Sequence, residues 1–312
     1  MLGPDQDLPY KVMHWADPSI DLISCGENGW SEWDRIVLEA LAPHIAWHNI
    51  HIYTGSDDYM SNVLAPHQAD RAPRSCRALI HRVRHRQGIA HPIHVAYDEW
   101  NVWFRARASD TALEERYTLA DALAVATYLN IFVRNCDTVR MANLAQLVNV
   151  IAPIFTSPDG IFVQTIYHPL RLYAEQFDTI ALDAYVECDT YHFPPNQETS
   201  SWAHRVADLG SFQLLDVAAT RDEARQALTL TVVNRDPERP ITTTIELSDA
   251  AIADVVAIAE VNAGDALATN SFAQPPSVTV NEKRGDASGR VFSYDFPAHS
   301  LTVLSFRTEP NA

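Results

Sequence analysis

The strongest constraint on the fold is a change of hydrophobic periodicity near residue 179. Before it, short apolar runs with strand-like alternation are followed by segments with helical spacing, four times over. Strands that alternate with helices form parallel sheets, because a parallel pair needs a crossover connection. The predicted strands are residues 20–26, 45–53, 93–97 and 138–144, and the predicted helices are 7–15, 33–41, 71–86, 113–134 and 164–177.

After residue 179 the helical spacing disappears, and short alternating strands are separated by turn residues such as those at 234–237. About eight strands at this short spacing predict an antiparallel β-sandwich. These strands are predicted at 182–186, 212–218, 227–233, 242–247, 255–261, 277–280, 291–296 and 301–306. We therefore predict two domains, residues 1–178 with the strand–helix units and residues 179–312 with the sandwich.

Charge and composition exclude several classes of partner. The 312 residues carry a formal net charge of −17, so nucleic acid and anionic membrane surfaces would repel the chain. The sequence shows no secretory signal and no apolar run approaching the roughly 18 residues of a membrane span. Its four cysteines are far apart, which is typical of reduced thiols. These features predict a cytoplasmic protein with a neutral ligand.

Three further patterns have plain interpretations. Six arginines between residues 71 and 86 interleave with apolar residues at helical spacing, which predicts a solvated helix face that ends at Gly88. No glycine-rich phosphate loop is present, so a nucleotide cofactor is not expected. Two histidine pairs have the spacing of metal ligands but lack a matching carboxylate or third ligand, namely His81 with His85 and His91 with His94. We predict no metal and no cofactor.

Polar side chains collect where the predicted strands of the first domain end. Strand by strand they are His51 and Tyr53, then Asp98 and Glu99, then Asn143 and Gln146. The carboxyl ends of parallel strands share one edge of the sheet, where such folds place their chemistry. Each residue taken singly fits a structural role, but together they predict a site for a polar ligand. Trp100 and Trp103 add flat apolar faces of the sort on which sugar rings stack.

Several motifs give a specific resemblance. The run from Asp98 to Trp103 (DEWNVW) closely resembles the nucleophile motif of the α-L-arabinofuranosidases of glycoside hydrolase family 51. Residues 141–154 resemble that family's eighth-strand signature, and residues 17–20 and 164–169 match as well. The resemblance runs from about Asp17 to the C-terminus. It implies the C-terminal half of a (β/α)8 TIM barrel followed by an antiparallel jelly-roll β-sandwich, in agreement with the strand count.

The resemblance also implies an activity. It is retaining hydrolysis of terminal non-reducing α-L-arabinofuranosyl residues of oligosaccharides, with Glu99 as the nucleophile that forms a glycosyl-enzyme. His51 and Tyr53 match positions that orient the nucleophile and line the sugar pocket, and Gln146 matches one that hydrogen-bonds arabinose. Trp100 and Asn143 complete the expected substrate-binding set, whereas Asp98 is expected to be structural. Family members are often oligomers, so a homo-oligomer is expected if the full-length assembly forms.

One part of the family pattern is missing from this sequence. Retaining chemistry needs a second carboxyl group roughly 5–5.5 Å from the first. The family supplies it from an Asn-Glu pair after the fourth barrel strand, which we expect to precede the present segment, and Glu27 is a poor substitute. We therefore expect a truncated enzyme that lacks the general acid/base and is either inactive alone or active only with a complementing chain. The alternatives are a non-catalytic arabinoside-binding or assembly module and, less in keeping with the signature at 143–149, another retaining glycosidase.

Overall fold

A computed structural model describes residues 8–104, 113–194, 206–222, 226–253, 256–273 and 276–310. Its helices are α1 (Leu8–Ala16), α2 (Glu32–Leu41), α3 (Tyr59–Leu64), α4 (Gln68–Gln87), α5 (Leu119–Arg134) and α6 (Tyr167–Gln176). The chain forms two compact units, which interleave in sequence. The first unit contains residues 1–53, 68–101 and 135–145, and the second contains 54–67, 102–134 and 146–312.

The first unit is built on a four-stranded sheet whose order follows the chain. Its strands are β1 (Ile23–Ser24), β2 (Trp47–Thr54), β3 (His94–Val102) and β4 (Val139–Leu144). β1 pairs with β2 and β3 pairs with β4 in parallel, which confirms the parallel arrangement that the strand–helix alternation predicts. Closure of this sheet as half of a (β/α)8 barrel stays a prediction.

Helices α2 and α4 pack against each other in the first unit. α2 buries Val37, Leu38 and Leu41, and α4 buries apolar residues along one side. The N-terminus of α2 has a capping box, in which the hydroxyl of Ser31 accepts from the Asp34 N–H. α4 ends at Gly88, whose φ of +67° suits glycine, as the sequence predicts.

Several arginines of α4 pair with carboxylates of the same unit. Arg74 lies 2.6 Å from Asp70, Arg77 pairs with Asp137, and Arg86 lies 3.5 Å from Glu39. Half or more of each of these three arginine side chains is exposed. The basic run is therefore a solvated helix face, and several of its charges pair with carboxylates of the same unit.

Strand β3 extends further than the alternation predicts. The predicted strand ends at Tyr97, but β3 continues to Val102, so Asp98 and Glu99 lie inside the strand and not beyond it. The pairing with β4 shifts there, because Tyr97 lies opposite Ala142 and Trp100 opposite Leu144. Three steps along β3 match two along β4, and this extra residue forms a β-bulge at Asp98–Glu99.

The second unit contains an antiparallel β-sandwich, as predicted. Its strands are β7 (Ile180–Leu182), β10 (Leu215–Asp222), β11 (Ala227–Asn234), β12 (Ile241–Glu246), β13 (Ala250–Ile252), β14 (Val256–Asn262), β15 (Thr279–Gly285), β16 (Val291–Phe296) and β17 (Ser300–Pro310). One layer is a seven-stranded sheet with β15-β14-β17-β11-β10-β7 in order and β13 paired to β17, and the other is the ribbon β12–β16. Side chains of the ribbon, among them Ile245 and Phe292, pack onto Leu228 and Leu304 of the sheet. The jelly-roll connectivity stays a prediction.

Some elements of the second unit differ from the sequence prediction. A hairpin of β5 (Ile154–Ser157) and β6 (Gly160–Val163) and a short pair of β8 (Thr190–Tyr191) and β9 (Phe212–Gln213) were not predicted. The strand predicted at 182–186 ends at Leu182. These elements are only two to four residues long, too short for a clear alternation.

Helix α5 explains why the compact units divide the chain differently from the predicted domains. Its residues Leu119, Leu123 and Ala126 belong to one buried cluster with Val233 and Val303 of the sandwich. A helix that buries most of its surface belongs to the same compact unit as the layer that covers it. The boundary predicted at residue 178 therefore does not separate the two compact units. Among the described residues, no helix is both long and apolar enough to cross a membrane.

Candidate active site

Three of the predicted site residues lie together in the first unit. His51 and Tyr53 are two apart on β2 and share one side of it, because successive side chains of a strand alternate. The Tyr53 hydroxyl donates a hydrogen bond of 3.0 Å to Oε2 of Glu99. His51 Nδ1 lies 4.0 Å from the same oxygen. Strand β2 thus presents an imidazole and a phenol to the carboxylate on β3.

The bulge on β3 also brings Asp98 to this cluster. In a regular strand, neighbouring residues point to opposite faces. Here the extra residue re-aims them, so that Asp98 Oδ1 lies 2.9 Å from His51 Nε2 while Glu99 approaches Nδ1 of the same ring. The distance between Asp98 Oδ1 and His51 Nε2 is that of an ion pair, but the angles of this contact lie outside the range of a hydrogen bond. Two consecutive carboxylates therefore flank one imidazole.

Asp98 is held on its other side by Asn49. The Asn49 Nδ2 amide donates 2.8 Å to Asp98 Oδ2, and the backbone N–H of Gly26 donates to Asn49 Oδ1. Asn49 is two residues before His51 on β2 and shares its side. Asp98, which we expect to be structural, thus makes its contacts with side chains of the cluster itself.

A buried carboxylate supports the backbone behind Gly26. Asp34 accepts hydrogen bonds from the backbone N–H groups of Glu27 (2.7 Å) and Gly29 (2.9 Å) and from Nε2 of His48 (3.0 Å). Burial alone would raise the pKa of Asp34, but the hydrogen bonds from His48, Glu27 and Ser31 lower it well below its usual range. Asp34 is therefore an anion whose charge fixes this loop.

The electrostatics of the cluster keep Tyr53 protonated. Burial, followed by the negative charge and hydrogen bond of Glu99 and the charge of Asp98, raises the pKa of Tyr53. Its hydroxyl therefore stays a donor at neutral pH. The Glu99 side chain is 49% exposed and His51 is 33% exposed, so a ligand can reach the carboxylate.

The remaining predicted residues have different positions. Asn143 lies exposed on β4, between the residues that face Tyr97 and Trp100, and thus opposite the bulge. Gln146 is exposed and belongs to the second unit. Trp100 is only 1% exposed, so the expectation that it offers a face for sugar stacking is wrong. It lies within β3, and its carbonyl accepts from the Ala145 N–H, which fits support of the strand.

The described residues contain no group of three or more His, Cys, Asp and Glu side chains arranged to hold a metal ion. His91 Nε2 contacts the carbonyl oxygens of Ala42 and Ile45, both at 3.1 Å, and His94 packs on the ring of Trp47. A cleft of about 840 Å³ lies in the sandwich of the second unit, but none of the predicted site residues line it.

Sequence reasoning missed Asn49, Gly26 and Asp34. Two signals point to them. Asn49, His51 and Tyr53 follow the period of two along one strand, so the amide belongs to the same row as the predicted pair. Ser31 and Asp34 have the spacing of a capping box, which places Asp34 at the start of a helix beside the strand end.

The comparisons with known proteins agree with one another. Residues 98–300 match the family model described as the α-L-arabinofuranosidase C-terminal domain. The probable α-L-arabinofuranosidase C of Aspergillus clavatus is 35% identical, over 97% of this chain and 62% of that protein. The intracellular exo-α-(1→5)-L-arabinofuranosidase of Halalkalibacterium halodurans is 32% identical, over 72% of this chain and 46% of that protein.

A solved structure shares the fold. The α-L-arabinofuranosidase from Thermotoga maritima, crystallised as an arabinose complex, superposes with a TM-score of 0.81 at 26% identity. The superposition covers 95% of this chain and 59% of that one. This chain therefore spans less than two thirds of the length of these relatives.

Proposed function

Because the chain belongs to the α-L-arabinofuranosidases of glycoside hydrolase family 51, we propose that it carries the nucleophile side of a retaining site for terminal non-reducing α-L-arabinofuranosyl groups. The hydrogen bond from Tyr53 to Oε2 of Glu99 carries this proposal. It holds one carboxylate oxygen in the C-terminal half of strand β3, and parallel sheets place their chemistry toward the carboxyl ends of their strands. The partner is an arabinofuranosyl oligosaccharide, and no metal or cofactor takes part.

In the proposed reaction, the free oxygen of Glu99 attacks the anomeric carbon and the glycosidic oxygen leaves with the bonding electrons. A glycosyl-enzyme results, and water then hydrolyses it. Tyr53 fixes the carboxylate through Oε2, which leaves Oε1 to attack. Pre-set orientation of this kind lowers the barrier, because the reacting atoms need no further ordering.

The substrate side of the proposal uses neutral amides. Asn143 and Gln146 each offer a donor and an acceptor, which suits sugar hydroxyls. A neutral sugar is compatible with a chain of formal net charge −17, whereas an anionic ligand would be repelled. Trp100 supports β3 in this proposal and does not contact the sugar.

The leaving group needs a proton from a second carboxyl group about 5–5.5 Å from the nucleophile. Asp98 is close to Glu99, but its two oxygens are engaged by Asn49 and His51. We assign the acid/base to the part of the family enzyme that this chain does not match. General acid–base help is typically worth about 10²–10⁴ in rate. Turnover of natural substrates by this chain alone is then expected to be weak.

The test uses an aryl α-L-arabinofuranoside with a good leaving group, because such a phenol departs without protonation. Rapid mixing with the chain should give a burst of phenol, and mass spectrometry should locate an arabinosyl adduct on Glu99. Glu99→Ala should abolish both, and added azide should then yield the β-configured arabinosyl azide. Glu32→Ala removes an exposed carboxylate of the same unit and serves as the matched control.

A folded chain with no burst and no azide product would overturn the proposed chemistry. Sugar binding without turnover would instead favour a non-catalytic arabinoside-binding module. We also propose a cytoplasmic location, because one bacterial relative is named intracellular and the four cysteines are free thiols. We also propose a homo-oligomer where the full-length family assembly forms, and light scattering would test it.

A further inference from the structure

The donors and acceptors around Asp98 form a chain whose direction is fixed. The Gly26 N–H can only donate, so the Asn49 atom that receives it must be the amide oxygen. The Asn49 Nδ2 group is then a donor, and it points to Asp98 Oδ2 at 2.8 Å. No amide flip satisfies both contacts, because a flipped Asn49 would set two donors face to face at Gly26.

The other oxygen of Asp98 determines what His51 presents to Glu99. Oδ1 lies 2.9 Å from Nε2 of His51, and an acceptor-only carboxylate favours a proton on that nitrogen. In the neutral ring, Nδ1 then carries no proton, and this is the atom that lies 4.0 Å from Glu99 Oε2. Among the described residues, the charged groups recorded against the ring are Asp98 and Glu99 on β3, and Tyr53 on β2 donates to the same Glu99 oxygen.

We propose that Asp98, anchored by Asn49, is a positioning residue that sets the orientation and the Nε2–H tautomer of His51, so that His51 does not donate a hydrogen bond to the nucleophile Glu99. Oε2 of Glu99 then receives its hydrogen bond from Tyr53, and the carboxylate keeps its reactivity. A second charge-assisted hydrogen bond would stabilise the ground-state anion more than the transition state, in which its charge disperses.

Asp98→Asn is expected to change the tautomer of His51. The new amide must turn its oxygen to Asn49 Nδ2, because Asn49 cannot flip. Its NH₂ group then faces His51 Nε2, which must become an acceptor. The proton moves to Nδ1, on the side of Glu99. An isosteric change that removes one charge is thus expected to reverse the tautomer.

The tautomer can be read directly from the ¹⁵N shifts of the ring nitrogens in long-range ¹H–¹⁵N spectra of the labelled full chain. Spectra are recorded at alkaline pH, where imidazoles are neutral. The His51 signals are those lost in His51→Gln. We expect Nε2–H in the unmodified chain and Nδ1–H in Asp98→Asn. Asp137→Asn, which removes a surface carboxylate that pairs with Arg77, should leave the His51 signals in place.

An Nδ1–H tautomer in the unmodified chain would overturn the proposal. For this measurement the only variant that must fold is His51→Gln, which assigns the His51 signals. An unchanged tautomer in a folded Asp98→Asn would do so as well. The catalytic consequence rests on the proposed function of Glu99: the burst rate of Asp98→Asn should fall roughly 10-fold, the value of one charge-assisted hydrogen bond. Failure of the burst in every variant would count against the proposed function, while the tautomer test stands apart from it.

Discussion

Asp34 Oδ1 and His48 Nε2 lie 3.0 Å apart, and both side chains are fully buried. The other ring nitrogen of His48 lies 2.8 Å from the hydroxyl of Ser24, so the imidazole is held at both ends. Because Asp34 also binds backbone N–H groups of the loop after β1, one buried anion joins that loop, α2 and β2. This is the support on which Asn49 and the site residues of β2 depend.

A substitution at Gly26 tests the support that Asp34 and His48 give to this loop. A Cβ added there would lie 2.0 Å from the Asn49 carbonyl oxygen, 2.6 Å from His48 Nε2 and 2.8 Å from Asp34 Oδ1. These neighbours are backbone or fully buried, so they cannot move aside cheaply. We expect Gly26→Ala to lower the free energy of unfolding by about 3 kcal/mol or more, measured by urea denaturation.

The matched control for Gly26 is Gly264→Ala, where an added Cβ meets no atom within 4 Å. Its free energy of unfolding should stay within about 0.5 kcal/mol of the unmodified chain. Equal stability of the two variants would contradict the close packing around Gly26.

Tyr53→Phe tests the contact with the proposed nucleophile. The variant loses the hydroxyl that fixes Glu99 Oε2, and the ring stays. We expect the burst rate with an activated aryl arabinofuranoside to fall by about 10-fold or more, since a hydrogen bond to a charged group is lost. Tyr185→Phe, at a tyrosine that is 89% exposed, is the control. A burst rate that Tyr53→Phe leaves unchanged would argue against this role.

The same contact predicts a spectroscopic effect. Burial, and then the charge of Glu99, raise the pKa of Tyr53, so the phenol should ionise at a higher pH than an exposed tyrosine does. Glu99→Gln removes the negative charge and should bring the pKa of Tyr53 back toward its usual value. Ultraviolet difference titration of Glu99→Gln against the unmodified chain reports this shift.

His168 in the second unit predicts a pH dependence of stability. Its side chain is buried, Nε2 donates to the Val278 carbonyl at 3.0 Å, and burial followed by the charge of Arg171 lowers the pKa of His168. The native state thus holds a neutral ring, while the unfolded chain binds a proton below about pH 6.5. Stability should fall as the pH falls below about 6.5, because the unfolded state then binds more protons.

His168→Gln should lose this part of the pH dependence. Urea denaturation at several values between about pH 8 and pH 5 gives the slope for each variant. His192→Gln, at an exposed histidine of the same unit, should keep the slope of the unmodified chain. If His168→Gln also kept the slope of stability against pH, the buried neutral ring of His168 would not be the source of that slope.

Much of the fold follows from local pattern. The period of two predicted the strands around His51 and Val95, the spacing of apolar residues predicted α2 and α4, and Gly88 marked the end of α4. Such signals lie within a few residues of the element that they specify. The shortest elements, such as the hairpin of β5 and β6, carry too few residues to show a period.

The candidate site was predictable only in part. Alternation along β2 placed His51 and Tyr53 on one side, and the structure brings Glu99 to them. The involvement of Asp98 was not predictable, because regular alternation turns it away from Glu99. Trp100 was expected at the sugar, and the structure buries it.

The amino-acid sequence by itself determined the strand–helix units, the sandwich that follows them and the row of polar side chains on β2. Only the tertiary structure decided the bulge that turns both Asp98 and Glu99 toward His51, and the packing of α5 within the sandwich unit. The physical reason is that hydrophobic periodicity records which face of an element is buried. The register between two strands and the choice of a helix's partner depend on residues far away in the chain, and no local pattern contains them.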